Sequence, residues 1–200
     1  MIVTDDMKPV AEWTDQEVFD WVVRHLGEQR RQSSSFINSH SPYSGCLPYS
    51  PCAYRGGKAG CLACALGCLI PPKLYFAGLE GRALCDFHCH WSGLTEDERK
   101  REDDSRRVAA VFKSLGVCFD GEEVPAGLED RYELLRHLQD IHDGGSEEWL
   151  NPASNDVESP AVPTVWPLEL RQLAANLCLD ATVVDQAFPV GWSLLSESEA

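Results

Sequence analysis

Two hundred residues with 44% apolar and 24% charged side chains suit one globular domain with an appended tail, and they exclude wholesale disorder. Seventeen basic residues against 32 acidic ones give a formal net charge of −15, which disfavours nonspecific binding to nucleic acid or anionic lipid. No run approaches the roughly 18 apolar residues of a membrane-spanning helix, and the acidic start lacks the basic-then-apolar pattern of a secretory signal.

The first predicted element is a helix over about 15–27. Thr14 and Glu17 form a capping-box pattern, and Phe19, Val22, Val23 and Leu26 recur at helical spacing, with Gly27 as a plausible stop. Residues 32–51, rich in Ser, Pro, Gly and Asn, form a long loop. Residues 52–55 read as a short strand or extended entry, and Gly56 to Gly60 as a turn. Leu62 to Ile70 is an apolar run, expected as a short buried helix that Pro71 and Pro72 end. Residues 74–81 make a further turn or short helix, and 83–93 read as irregular.

Thr95 with Glu98 opens a second capping box and a helix to about Leu115. Its first half is all charge and projects into solvent, whereas Val108, Val111, Phe112 and Leu115 form a core stripe. A short strand is expected near 117–119. Another helix spans about 129–142, with Leu134, Leu135, Leu138 and Ile141 inward. Residues 151–166 form a Pro-rich linker, and Pro167 starts a last helix to about Leu179. The expected fold class is therefore mainly α (α+β). A compact helical domain over 12–150 carries a short β element and an added segment at 82–128. After the linker come a C-terminal helix and extension over 167–189.

Nine cysteines stand at positions 46, 52, 61, 64, 68, 85, 89, 118 and 178. An odd count with no expected secretion signal argues for reduced thiols in a cytosol rather than a disulfide framework. Three site chemistries follow from the residue pattern. Cys61-x2-Cys64, then Cys85-x2-His88 with Cys89 as the alternative fourth ligand, has the paired-knuckle spacing of a structural zinc site. The apolar surroundings of Cys61, Cys64 and Cys68 favour buried thiols over that zinc site. Cys52 or Cys64 could act as a nucleophile with His142 as base and Asp143 orienting it. Tyr54 and Arg55, beside glycines 56, 57 and 60, offer a stacking face and a donor fork for a small anionic ligand.

At Cys52-Ala-Tyr-Arg-Gly56, Gly60, Cys64-Ala-Leu-Gly-Cys-Leu-Ile-Pro71, Leu79-Glu-Gly81 and Leu138-Gln-Asp-Ile-His-Asp143, the chain resembles a group of small proteins encoded by tailed phages and prophages. The resemblance covers about half the chain. It implies a setting, an accessory gene product in the host cytosol, and no particular reaction. Cys52, Tyr54, Arg55, Gly60, Cys64, Gly67, Glu80, His142 and Asp143 match the group's pattern, whereas Cys61, Cys85, His88 and Cys89 lie where the chain departs from it. The expected function is a phage-type accessory binding module, engaging a host protein or a small anionic ligand through Tyr54, Arg55, His142 and Asp143, with a structural zinc as the cofactor its cysteines could carry. The alternative is a thiol-dependent enzyme using Cys52 or Cys64 with His142.

Overall fold

The computed structural model describes residues 1–29, 54–55, 63–80, 82–119, 130–143 and 165–189. The Ser-rich loop, residues 151–164 of the linker expected at 151–166, and Cys52 and Cys61 lie outside these residues, and Trp166 already belongs to a helix. Among the described residues there are seven α-helices and no strand, so the chain is mainly helical. Both described parts of the expected β element take another form. Tyr54 and Arg55 form a bend, and 117–119 run as irregular chain closed by Val117 N–H on the Phe112 carbonyl and Cys118 N–H on Asp130 Oδ1. A strand needs a ladder partner, and these backbone groups are spent on a helix end and a side chain instead.

Helix α1 (Asp15–Gln29) starts at the predicted capping box. Glu17 N–H donates to Thr14 Oγ1 at 3.2 Å, and Thr14 N–H to Glu17 Oε2 at 2.6 Å. Gly27 does not stop it. The helix runs two residues further, and a Cβ at 27 would lie 2.7 Å from the Ala187 carbonyl oxygen, so this glycine admits a neighbouring backbone.

The apolar run after Cys61 contains less helix than its composition suggests. Only Gly67–Leu69 form a 3-10 turn, although residues 63–70 are all buried. A second 3-10 turn covers Ala77–Leu79. Residues 83–93, which read as irregular, form helix α2 (Leu84–Gly93) with Leu84, Phe87 and Trp91 buried. Its N-cap, Ala83, has no capping side chain; Gln139 Oε1 instead accepts the Leu84 N–H at 2.9 Å from across the core.

The next helix is two. Helix α3 (Glu96–Arg101) carries the Thr95–Glu98 capping box and buries nothing, as its charge pattern predicts. Helix α4 (Asp103–Ser114) follows a break at Glu102, whose carboxylate accepts the Ser105 hydroxyl at 2.6 Å and meets His90 Nε2 at 3.3 Å. Gly116, at φ 93°, ends the chain's helical path. Helix α5 (Tyr132–Asp143) buries Leu134, Leu135, Leu138 and Ile141 as expected.

The C-terminal part is a helix pair rather than one helix. Helix α6 (Trp166–Asn176) packs on α5, and α7 (Thr182–Ala187) packs on α1 and α6. The break comes at Cys178, whose φ of 56° is a left-handed conformation usually taken by glycine. Both helices contribute to the same buried apolar cluster as α1, α2, α4 and α5. No helix among the described residues is long and apolar enough to cross a membrane.

One charged side chain ties the N-terminal part to the middle of the chain. Arg131 is 4% exposed. Its Nε donates to Asp15 Oδ1 at 2.7 Å, its Nη1 to the Val10 and Leu115 carbonyls at 2.9 and 3.0 Å, and its Nη2 to the Trp13 carbonyl at 2.5 Å. A buried guanidinium with this many acceptors is satisfied, and removing it would orphan them together.

Candidate functional site around Arg55 and Glu80

The 63–80 segment folds back so that Gly67 touches the backbone of Tyr54. Tyr54 is fully buried; its hydroxyl donates to the Arg82 carbonyl at 2.7 Å. The backbone of this dipeptide is held by one carboxylate. Glu80 Oε2 accepts the Tyr54 N–H at 3.0 Å, and Glu80 Oε1 accepts the Arg55 N–H at 2.9 Å. The Tyr75 hydroxyl adds a third bond, to Oε1, at 2.8 Å. Burial, followed by the bond to Glu80 and its negative charge, pushes the Tyr75 phenol up to about 12, so it remains a donor.

Arg55 projects from this clamp. Its Nη2 donates to the Ile70 carbonyl at 2.5 Å, and its guanidinium carbon lies 5.7 Å from the Tyr75 ring centroid. Among the described residues its Nη1 has no hydrogen-bond partner. No carboxylate forms an ion pair with it among the described residues, although the chain carries 32 acids. Burial holds its pKa below the usual arginine value; Cys68, Cys64, Tyr75 and Glu80 oppose that shift. The two oxygens of Glu80 are occupied by neutral donors, so this acid orients the arginine more than it pairs with it.

Cys64 and Cys68 are both fully buried. Cys64 Sγ accepts the Gly67 N–H at 3.2 Å, and Cys68 Sγ donates to the Ala65 carbonyl at 3.1 Å. Burial raises the Cys68 thiol well above its ordinary value, with the neighbouring Cys64 adding to the rise.

His142 and Asp143 occupy the end of α5. His142 is fully buried, its ring stacked on Trp166 at 5.7 Å, and its Nδ1–H donates to Asp143 Oδ1 at 2.7 Å. No ion pair joins Asp143 to Arg55 among the described residues, so Tyr54–Arg55 and His142–Asp143 stand as two separate arrangements. A second buried histidine, His25, lies on α1. His25 Nε2–H donates to the Ala63 carbonyl at 2.9 Å, and its Nδ1 accepts from the Met1 ammonium at 3.0 Å. Burial first, then the Met1 and His142 charges, depress His25 to about 4, against the hydrogen bonds that oppose the shift.

The other cysteine and histidine candidates lie on α2. Cys85 is half-buried and Cys89 exposed. His88 donates from Nε2 to the Cys118 carbonyl at 3.3 Å, with its ring 4.2 Å from Tyr132 and 5.4 Å from Phe119. Among the described residues no three His, Cys, Asp or Glu side chains are placed to hold a metal ion together.

Glu80, Tyr75 and Gly67 complete the Arg55 arrangement, and residue spacing alone does not single them out as a set. The signal available for Gly67 and Glu80 is that both match the pattern of the phage group the chain resembles, as Tyr54 and Arg55 do; Tyr75 carries no such signal. No protein-family model, curated protein or solved structure matches this chain.

Proposed function

We propose that this chain is a binding module for a small anionic ligand, with Arg55 as the anchoring cation and Tyr75 and Glu80 as the residues that hold it in place. In keeping with its resemblance, it would serve as a phage-type accessory protein. One observation carries the reading: Arg55 is a half-buried cation whose Nη1 has no hydrogen-bond partner and whose guanidinium has no paired carboxylate among the described residues. A buried unsatisfied donor costs about 1–3 kcal/mol, more on a charged group, and a bound anion removes that cost. Guanidinium is also the cation best shaped to receive a carboxylate or phosphoryl oxygen.

Isothermal titration calorimetry with inorganic phosphate, sulfate and acetate tests this. The wild-type chain is expected to bind at least one of them. Arg55→Gln should then weaken binding by roughly tenfold or more while keeping the helical circular dichroism, because a charge-assisted bond is worth about 1.5–3 kcal/mol. No binding by wild type, or equal binding by a folded Arg55→Gln chain, overturns the reading.

A second reading, a thiol-dependent enzyme, draws support from the His142–Asp143 pair, since a carboxylate on Nδ1–H is how a general base is oriented. The burial of Cys64 weighs against it, because a reactive thiol must be reached. Selective, fast alkylation of Cys52 or Cys64 by iodoacetamide at neutral pH would restore it.

A further inference from the structure

The described chain contains two Cys-x3-Cys pairs, and the fold treats them in opposite ways. Cys64 and Cys68 are closed to solvent, and both sulfurs are used in hydrogen bonds to the backbone of their own turn. Cys85 and Cys89 lie one turn apart on the regular helix α2, one half-buried and one exposed. The contact given to Cys85 Sγ is with its own neighbour, Asp86 Oδ1, at 3.9 Å, which is marginal even for sulfur. Both thiols lie near Tyr132 on the first turn of α5 and help to raise its phenol. The His88 ring, between them in sequence, packs on Tyr132 and Phe119, and its Nε2 meets the Cys118 carbonyl.

Helix geometry places the β-carbons of residues four apart about 5–6 Å from each other. A disulfide needs roughly 3.5–4.5 Å, so the pair cannot close on itself without unwinding α2. The same gap suits a single soft atom bridging two sulfurs with bonds of about 2.3 Å. Two further facts narrow the class. No third donor is placed to build a tetrahedral shell among the described residues. The Asp86 carboxylate already stands beside this position, its Oδ1 3.9 Å from Cys85 Sγ. A complex that adds no negative charge is therefore favoured, and two thiols that release two protons to a doubly charged soft centre give a neutral one.

We propose that Cys85 and Cys89 form a dithiol site for a thiophilic centre that takes two sulfur ligands, the class that includes mercuric ion and monosubstituted arsenic(III). With phenylarsine oxide the step balances without an oxidant. Two S–H bonds break, two As–S bonds form, the arsenic-bound oxygen leaves with both protons as water, and arsenic stays trivalent. The site does not depend on the Arg55 reading.

The test treats the full-length chain with phenylarsine oxide and excess monothiol, reads intact mass, and maps the adduct by peptide mass spectrometry. One monothiol-resistant adduct is expected on the peptide carrying residues 85 and 89, released by a small dithiol. Cys85→Ser, Cys85→Ala and Cys89→Ser should each lose it, and Cys178→Ser should keep it. The map of the wild-type adduct needs no variant, so a destabilised α2 cannot imitate the expected result. An adduct on other cysteines, survival of the adduct in any of the three α2 variants, or no uptake by wild type overturns the proposal.

Discussion

Gly67 shows how little room the Arg55 arrangement leaves. A Cβ at this position would sit 2.0 Å from the Tyr54 carbonyl oxygen and 2.8 Å from its carbon, both backbone atoms that cannot swing aside. Gly67→Ala must therefore push the 54–55 bend away from the 63–80 segment and stretch the Glu80 clamp. The expected loss is about 1–3 kcal/mol in urea unfolding, together with weaker anion binding by calorimetry. An alanine variant with unchanged stability and affinity would show that the bend is not held where the contact requires. The sequence singles out Tyr54 and Arg55 because glycines surround them. Glu80 stands out only as a match to the resembled pattern, and nothing local reveals it or Tyr75 as a partner, because those contacts span 20–26 residues and carry no local periodicity.

Helix α2 makes the corresponding point for elements. Its buried positions, Leu84, Phe87 and Trp91, have helical spacing, yet Cys, Asp and His fill the rest and no Ser, Thr, Asp or Asn stands at the N-cap. The start signal is supplied by Gln139 of α5. Gln139→Ala should leave the Leu84 N–H buried and unpaired and destabilise the protein by about 1–2 kcal/mol. Amide exchange at residues 84–88 should speed up in that variant more than in α1; equal protection would mean that the cap contributes nothing. Elements whose caps are local, such as α1 and α3, are legible for the same reason that α2 is not. The break at Glu102 and the turn at Cys178 escape the sequence because a side chain contact and a left-handed non-glycine residue cause them. The expected strand at 117–119 fails because an apolar triplet does not reveal whether a partner strand exists.

At the scale of the whole molecule, the Ala63 carbonyl, α1 and the N-terminus meet at His25, and that meeting is pH-sensitive. His25 is 3% exposed and titrates at about 4 when folded, against about 6.5 when unfolded. The unfolded chain binds its proton first, so the stability linked to neutral His25 is complete above pH 6.5. It falls as pH drops from 6.5 towards 4, by about 3 kcal/mol over the window at 1.36 kcal/mol per unit. Urea midpoints measured from pH 7.5 to 5 should fall in wild type and flatten in His25→Gln; parallel curves would remove the assignment. The links that gather the fold are also long in sequence. Arg131 satisfies the Val10 and Trp13 carbonyls, and Gln16 exchanges two hydrogen bonds with Asp180, its Nε2 donating to the carbonyl at 3.0 Å and its Oε1 accepting the N–H at 2.7 Å. On the ribosome, α1 therefore emerges long before its most distant partners, Arg131 and α7, exist. The Val10 and Trp13 carbonyls just before α1 must wait through the synthesis of more than a hundred residues before Arg131 arrives, and the face that takes α7 waits longer still. A nascent chain paused before residue 131 should be captured by a holdase chaperone and cut readily by protease, whereas release of the full chain should close the structure in one cooperative step.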